Sequence, residues 1–423
     1  MKIITGKKPK KVGIPDPSPK ALKPPVSKAL DSLLGKSAKS SYPPVNPYST
    51  KSLQKIDPET EKKLARICRE KYSLMDTLRA LVCYQGKRDG LQYPATFHRA
   101  GECRYQMLGS LVGVGITPEN RAHFLGVATC GSVWACPVCT ALIQEGRRKE
   151  IAKAIGWAYS SGLQPAMVTF TFPHTLGQSL AELIECQAKA FELLRKGSPW
   201  VRFKKSVGYQ GLIRSLELTH GVNGWHPHTH EMFFVSGEAS AEQMRLRLTE
   251  LWLSACARAG LVDLEDLDQV KAFRAHAVDV KGWCDASSYL AKQDASRHWG
   301  ADRELAKASS KKGRAHGQHP FGLLALAAEG GKQAGAKYLE YIVAMKGKRQ
   351  LFWSHGLKAR VGLQEKSDLQ LADEIPTVPV CLFDAGHWHR VLAKRQRPQL
   401  LIAAERGGAA GVQKFLELLR ERR

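Results

Sequence analysis

No apolar stretch in this sequence approaches the roughly 18 residues needed to cross a bilayer, which excludes a helical membrane protein. The first eight residues, Met1-Lys2-Ile3-Ile4-Thr5-Gly6-Lys7-Lys8, lack the apolar core of a secretory signal, so a reducing cytoplasm is the expected compartment. There the ten cysteines are expected as free thiols or metal ligands rather than disulfides. Acidic residues are scarce: 39 Asp and Glu stand against 64 Lys and Arg, for a formal charge of +25. That deficit favours a polyanionic partner, whether DNA, RNA or an acidic membrane; a basic surface kept only for solubility is the plainer alternative. No internal repeat is present, so no repeat architecture is expected.

What is present points to two or three structural units in 423 residues, with 43% hydrophobic residues to build a core. Residues 1–56 hold twelve Lys, nine Pro and two acidic residues. They cannot bury enough apolar surface to offset ordering entropy, and read as a loose DNA-binding arm or a solubilising tail. Residues 57–162 read as a helical, cysteine-rich module. Leu64, Ile67, Leu74, Leu78 and Leu81 fall at helical spacing, and a second helix is expected over 141–160.

From 163 to 296 the rhythm is strand, helix, strand, strand, helix, strand. The expected strands are 166–172, 209–219, 228–235 and 274–280, and the expected helices are 176–194 and 240–258, with a further helix opening at Asp285. This order predicts an α+β fold of the ferredoxin-like kind, an antiparallel sheet backed by two helices. Residues 297–423 read as a partly helical extension, with helices over 320–329, 334–345 and 411–422.

The densest chemistry lies around Asn223-Gly224, the strongest short signal for a tight hairpin turn. Side chains alternate faces along a strand, so His228 and His230 point the same way. With Asn223 and Gly224 as the turn residues, Glu217 faces His230. A loop longer by two residues puts Glu217 opposite His228, still on the same face. Two imidazoles and a carboxylate suit a divalent metal with open positions, Mg²⁺ or Mn²⁺. His226 is an accessory candidate, and His220 or His226 is equally readable as an ordinary packed histidine.

Two further groups stand out. On a helix, Asp285, Tyr289 and Lys292 share a face at spacings of four and three. A phenol with a reference pKa of about 10 needs a cation or metal-polarised phosphate nearby to become a nucleophile. Taken alone, these residues read first as a packed tyrosine between surface charges; their place directly after the fourth strand of the sheet that carries the paired histidines favours the nucleophile. Upstream, Cys130, Cys136 and Cys139 form a knuckle, and Cys103 lies nearby in sequence. Four thiolates make a closed tetrahedral Zn²⁺ site. His98 or His123 in place of one thiol, or a buried free-thiol cluster, fits the same pattern. Cys68, Cys83, Cys186, Cys256, Cys284 and Cys381 show no partners.

Three segments in order, Val168-Thr169-Phe170-Thr171-Phe172-Pro173, Gly224-Trp225-His226-Pro227-His228-Thr229-His230 and Tyr289-Leu290-Ala291-Lys292, resemble the motifs of HUH endonucleases, in particular single-tyrosine rolling-circle initiators of small plasmids. Gly347 to Ser354 and the cysteines ahead of the first motif extend the likeness over about residues 100–360. The resemblance implies a metal-dependent nicking and joining enzyme with a catalytic core over 163–296. Tyr289 would be the nucleophile, Lys292 the phosphate contact and His228, His230 and Glu217 the metal ligands. Asp285 would be the water-activating carboxylate, a place more often held by Glu. Thr229 departs from the usual hydrophobic residue between the paired histidines. Plasmid origin DNA would be the partner, with host helicase and polymerase, and no membrane. Two alternatives are a non-enzymatic zinc protein binding nucleic acid through exposed sheet aromatics (Phe170, Phe172, Phe233) and an HUH transposase or relaxase.

Overall fold

The structure, a computed structural model, describes residues 57–88, 91–236, 240–281 and 317–421. These belong to the unit Leu53–Arg423. The basic arm, the segment carrying Cys284, Asp285, Tyr289 and Lys292, and the helix expected there lie outside the described residues.

The chain opens with helix α1 (Pro58–Val82), whose start follows from Asp57: its carboxylate accepts hydrogen bonds from the N–H groups of Glu59 and Thr60, and Pro58 presets the first turn. A hairpin (β1, Cys83–Arg88; β2, Leu91–Thr96) and strands β3 (Leu111–Ile116) and β4 (Ala122–Leu125) come next. Helix α2 (Pro137–Ser160) begins earlier than its apolar pattern suggests, because Cys136 acts as its N-cap and Pro137 occupies its first turn.

The central elements are β5 (Gln164–Phe170), α3 (Leu180–Leu194), α4 (Gly197–Ser206), β6 (Tyr209–Gly221), β7 (Gly224–Val235), α5 (Ala241–Arg258), α6 (Leu267–His276) and β8 (Val278–Lys281). Capping boxes, Ser179 with Glu182 and Ser240 with Gln243, set where α3 and α5 begin. The strand expected from Arg274 starts later. Asp266 caps α6, Val270 and Phe273 bury one side of it, and Arg274 pairs with Glu250 of α5 at 2.8 Å, so these residues are helical up to His276.

The C-terminal part comprises α7 (Pro320–Ala328), α8 (Lys332–Ala344), β9 (Leu351–Trp353), α9 (Leu357–Arg360), α10 (Asp368–Asp373), β10 (Val378–Asp384), α11 (Ala385–Ala393) and α12 (Arg397–Glu421), the last broken at Gly408 with φ of 54°. No helix among the described residues is long and apolar enough to cross a membrane.

The result is a mixed α/β protein with antiparallel sheets. The main sheet runs β8-β5-β7-β6-β9, and a smaller one runs β10-β3-β4. One face of the main sheet is packed by α3 and α5: Phe170 meets Phe191 and Trp252 edge-on at 5.6 and 5.3 Å, and the Trp252 indole donates to the Thr171 carbonyl. On the other face, Ile213, Met232 and Phe234 pack beneath Ala154, Ile155 and Ala158 of α2. The cover by α2 leaves the neighbouring histidine-bearing stretch of β7 partly open.

Thr229 lies on the helix-packed face, 2% exposed, and its hydroxyl has no hydrogen-bond partner. Leaving a buried hydroxyl unpaired costs about 1–3 kcal/mol, so a residue of the same shape without it fits better. Thr229→Val is therefore expected to stabilise the fold by about 1 kcal/mol. Denaturant unfolding measures this directly, and a lower midpoint for the variant would mean that the hydroxyl is bonded after all.

Candidate metal centre

The hairpin that carries the histidines turns differently from the simplest expectation. Gly221 pairs with Gly224, so Val222 and Asn223 form the turn; neither has a positive φ, while Gly224 takes φ of 88°. That is the pattern of a type I turn closed by a left-handed glycine. A Cβ at Gly224 would come within 3.0 Å of Leu176 Cα, so the tip is seated against the 175–176 backbone and accepts only glycine there. Across the ladder, Glu217 stands opposite His228 and Ser215 opposite His230. Glu217 therefore has the partner expected for the longer loop, and stays on the histidine face.

The three groups converge. His230 Nε2 lies 3.1 Å and His228 Nε2 3.5 Å from the same Glu217 carboxylate oxygen. Burial alone would push the Glu217 carboxyl up. Hydrogen bonds and charge from His228 and His230 outweigh it and hold the group well below the usual carboxylate range. The side chains of His228, His230 and Glu217 are 15%, 26% and 33% exposed, so the cluster is walled by protein yet reachable from solvent. All three donor atoms lie within 4.8 Å of one another, a separation one divalent cation can bridge. The Nδ1 atoms face away: His230 Nδ1 is 3.0 Å from Thr169 Oγ1, and His228 Nδ1 is 3.5 Å from the His226 carbonyl.

Sequence reasoning assigned no role to Thr169, although it sits in the first quoted motif. It also missed His174, whose Nε2 is 2.7 Å from His226 Nδ1. Its position right after Pro173, at the end of that motif, was the available signal. His226 stands on the same face, its ring 5.0 Å from that of His228. Burial first, then the charges of His228 and His174, push its pKa down to about 4, so this ring is neutral at physiological pH. His220 pairs with Trp225 on the opposite face and packs edge-on against it at 4.8 Å, so it does not join the cluster.

The cysteines form the second group. Cys103, Cys130, Cys136 and Cys139 are all buried, with Sγ separations of 3.5 Å (Cys103 to Cys139) and 3.6 Å (Cys130 to Cys139, Cys136 to Cys103). These are far beyond a disulfide bond and close to the ~3.8 Å edge of a tetrahedron with ~2.3 Å zinc–sulfur bonds. Backbone N–H groups of Cys130, Ser132 and Cys139 point at the sulfurs of Cys103, Cys130 and Cys136, each at 3.4 Å, which favours thiolates. Burial pushes the Cys130 and Cys136 thiols up, whereas hydrogen bonds from the other three hold Cys139 down. The buried Arg104 guanidinium, which burial alone would push down, is raised by the adjacent Cys103 and Cys139. The donor set thus fits a zinc ion. His98 instead accepts the Ala100 N–H as a helix cap, and His123 lies on β4 outside the group.

The two groups are tied together through α8. Tyr338 and Tyr341 donate their hydroxyls to the carbonyls of Ala135 and Trp134 in the knuckle. Tyr341 also stacks on Trp225 at the base of the histidine strand, and Glu340 accepts from the Trp225 indole at 2.9 Å. The sheet aromatics Phe170, Phe172 and Phe233 are all buried, so none is available to stack on a base.

The half-open His₂Glu cluster and the buried four-thiol knuckle are thus two separate groups, each able to hold a metal ion, in one antiparallel α/β protein. The chain is a member of the replication protein family, whose sequence pattern matches residues 123–378. It is similar to the Protein rep of Streptomyces lividans, 26% identical over 327 residues that cover 61% of this chain and 70% of that one. It is also similar to a protein of Streptomyces cyanogenus named Neomycin resistance protein, 30% identical over 165 residues that cover 31% of this chain and 36% of that one. No solved structure matches.

Proposed function

We propose that the protein initiates rolling-circle replication of a plasmid by nicking one strand of origin DNA, with Tyr289 as nucleophile. The observation that carries this reading is the convergence of His228, His230 and Glu217 on one face of an antiparallel sheet, in a chain of the replication protein family. The sheet supports it too. In chain order β8, β5, β7 and β6 stand fourth, first, third, second, with α3 and α5 in the crossings, the order that a ferredoxin-like core of the HUH kind would have.

Glu217, His228 and His230 would hold Mg²⁺ or Mn²⁺, and the cysteine knuckle Zn²⁺. When bound, the divalent ion supplies positive charge for the oxygens of a scissile phosphate. The Tyr289 phenol oxygen would attack phosphorus, giving a bond from tyrosine to the 5′ phosphate. The departing 3′ oxygen would take a proton and become the hydroxyl that primes a host polymerase. Lys292 would contact the phosphate and favour the phenolate. Asp285 would accept a proton from the water that ends the round.

Chain connectivity permits this. Thr169 pairs with both His230 and Asp279, so Asp279 stands two strands from His230. Two strand spacings are about 10 Å, and the ten residues from Asp279 to Tyr289 can span up to about 35 Å. Origin DNA, host helicase and polymerase would be the partners, in the cytoplasm.

The test is incubation of the full chain with a labelled single-stranded origin oligonucleotide and Mn²⁺, read on a denaturing gel. A protein-linked DNA band that disappears with chelator is expected. Salt-sensitive binding without any cutting would leave a nucleic-acid-binding protein in its place.

A further inference from the structure

We infer that His226 is a further donor to the cation site, and that His174 is the positioning residue that fixes its tautomer. This rests on the metal reading of His228, His230 and Glu217 given above.

A short chain of hydrogen bonds fixes where the protons sit. The Asn223 carbonyl can only accept, and it lies 3.0 Å from His174 Nδ1. In the tautomer that donates from Nδ1, His174 offers a lone pair on Nε2. That lone pair lies 2.7 Å from His226 Nδ1, which must donate to it. The remaining nitrogen of His226, Nε2, is left without a proton and free to bind a cation. Its neighbours also turn Nδ1 away from the site, but their Nε2 atoms donate to the Glu217 carboxylate. His230 Nδ1 is taken by Thr169 Oγ1 and His228 Nδ1 lies nearest the His226 carbonyl, and both rings present Nε2 to Glu217.

Three rings at alternate positions of β7 lie along one face, with centroids spaced 5.0 and 5.1 Å. His226 stands outside the compact trio, one step along the strand toward the hairpin turn. From there it flanks the site rather than closing it. A hydrogen bond to the distal nitrogen of a ligating histidine fixes its tautomer and ring plane and raises its basicity; losing such a partner typically costs about 10–100-fold in metal affinity. His174 is that partner for His226, as Thr169 is for His230. The plainer alternative is that the His174–Asn223–His226 chain only staples the tip of the hairpin.

Mn²⁺ titration of the full chain by calorimetry separates the two, with unfolding midpoints measured without Mn²⁺ as a check on folding. Wild type is expected to bind Mn²⁺ and His228→Ala to bind it far more weakly. His226→Ala and His174→Ala are expected to bind about 10–100-fold more weakly with unchanged midpoints. His174→Gln should bind close to wild type, because its amide can donate to Asn223 and accept from His226. Wild-type affinity in both His226→Ala and His174→Ala, with His228→Ala still deficient, would overturn the inference and leave the metal site standing. Weak binding by His174→Gln as well would overturn the positioning role. No Mn²⁺ uptake by wild type, or equal uptake by His228→Ala, would instead refute the metal reading on which this rests.

Discussion

Replacing Tyr289 by Phe is expected to abolish the covalent protein–DNA adduct while leaving origin binding nearly unchanged. The substitution removes one oxygen and keeps the ring, so only the proposed nucleophile is lost. Deleting a nucleophile outright costs at least about a thousandfold in rate, and no neighbour in Ser287-Ser288-Tyr289-Leu290 offers a second phenol. Binding should persist because affinity for DNA comes chiefly from Lys and Arg on phosphates, and a chain with net charge +25 has these in surplus. His228→Ala makes an informative contrast. It too should stop adduct formation, yet activity should recover partly at high Mn²⁺, since Tyr289 is intact and only affinity for the ion is lowered. Tyr289→Phe should show no such recovery. A Phe variant that still forms adduct at the wild-type rate would place the nucleophile elsewhere and remove the central step of the proposal.

The second large effect concerns the cysteine knuckle. The protein is expected to carry one zinc per chain by elemental analysis, and Cys136→Ser or a strong chelator is expected to lower its unfolding midpoint by more than about 10 °C. Structural zinc sites contribute on the order of 10 kcal/mol of apparent folding energy in small domains, and each kcal/mol shifts the midpoint of a chain this long by a few degrees. Several neighbours depend on the knuckle. Cys136 caps α2, and the Trp134 and Ala135 carbonyls hold Tyr341 and Tyr338 of α8. Tyr341 and Glu340 in turn brace Trp225, whose strand bears the histidines. Loss of zinc should therefore reduce nicking as well as stability, although none of the four cysteines belongs to the His₂Glu cluster. Protein that purifies without zinc and melts like wild type would show that the four thiols are merely a packed core.

Much of this was legible in the amino-acid order because it depends on local geometry. The period of two along a strand puts His228, His230 and Glu217 on one face in either turn register, so their convergence required no knowledge of distant contacts. The start of α5 falls at the expected Ser240, whereas the Ser179 capping box starts α3 at Leu180 rather than at the expected 176, and the 130–139 spacing gathers three of the four thiols around one turn. Helix α6 was missed because its apolar face rests on only Val270 and Phe273, too few to show a helical period against a β-rich expectation.

Other features depended on groups that meet only after folding. The choice of Val222-Asn223 as the turn, over Asn223-Gly224, goes with the contact of Gly224 on Leu176 and the pairing of His220 with Gln318. The selection of Cys103 over His98 as the fourth member of the thiol group was decided by a 3₁₀ turn that engages His98 as a cap. Strand β10 joins β3 across more than 250 residues, a pairing that neither segment announces alone. Likewise the orientations of the His230 and His226 imidazoles depend on Thr169 and His174, from a different strand and the segment after it. Local sequence can say which face a side chain occupies; which nitrogen carries the proton depends on the acceptor that tertiary packing brings to it.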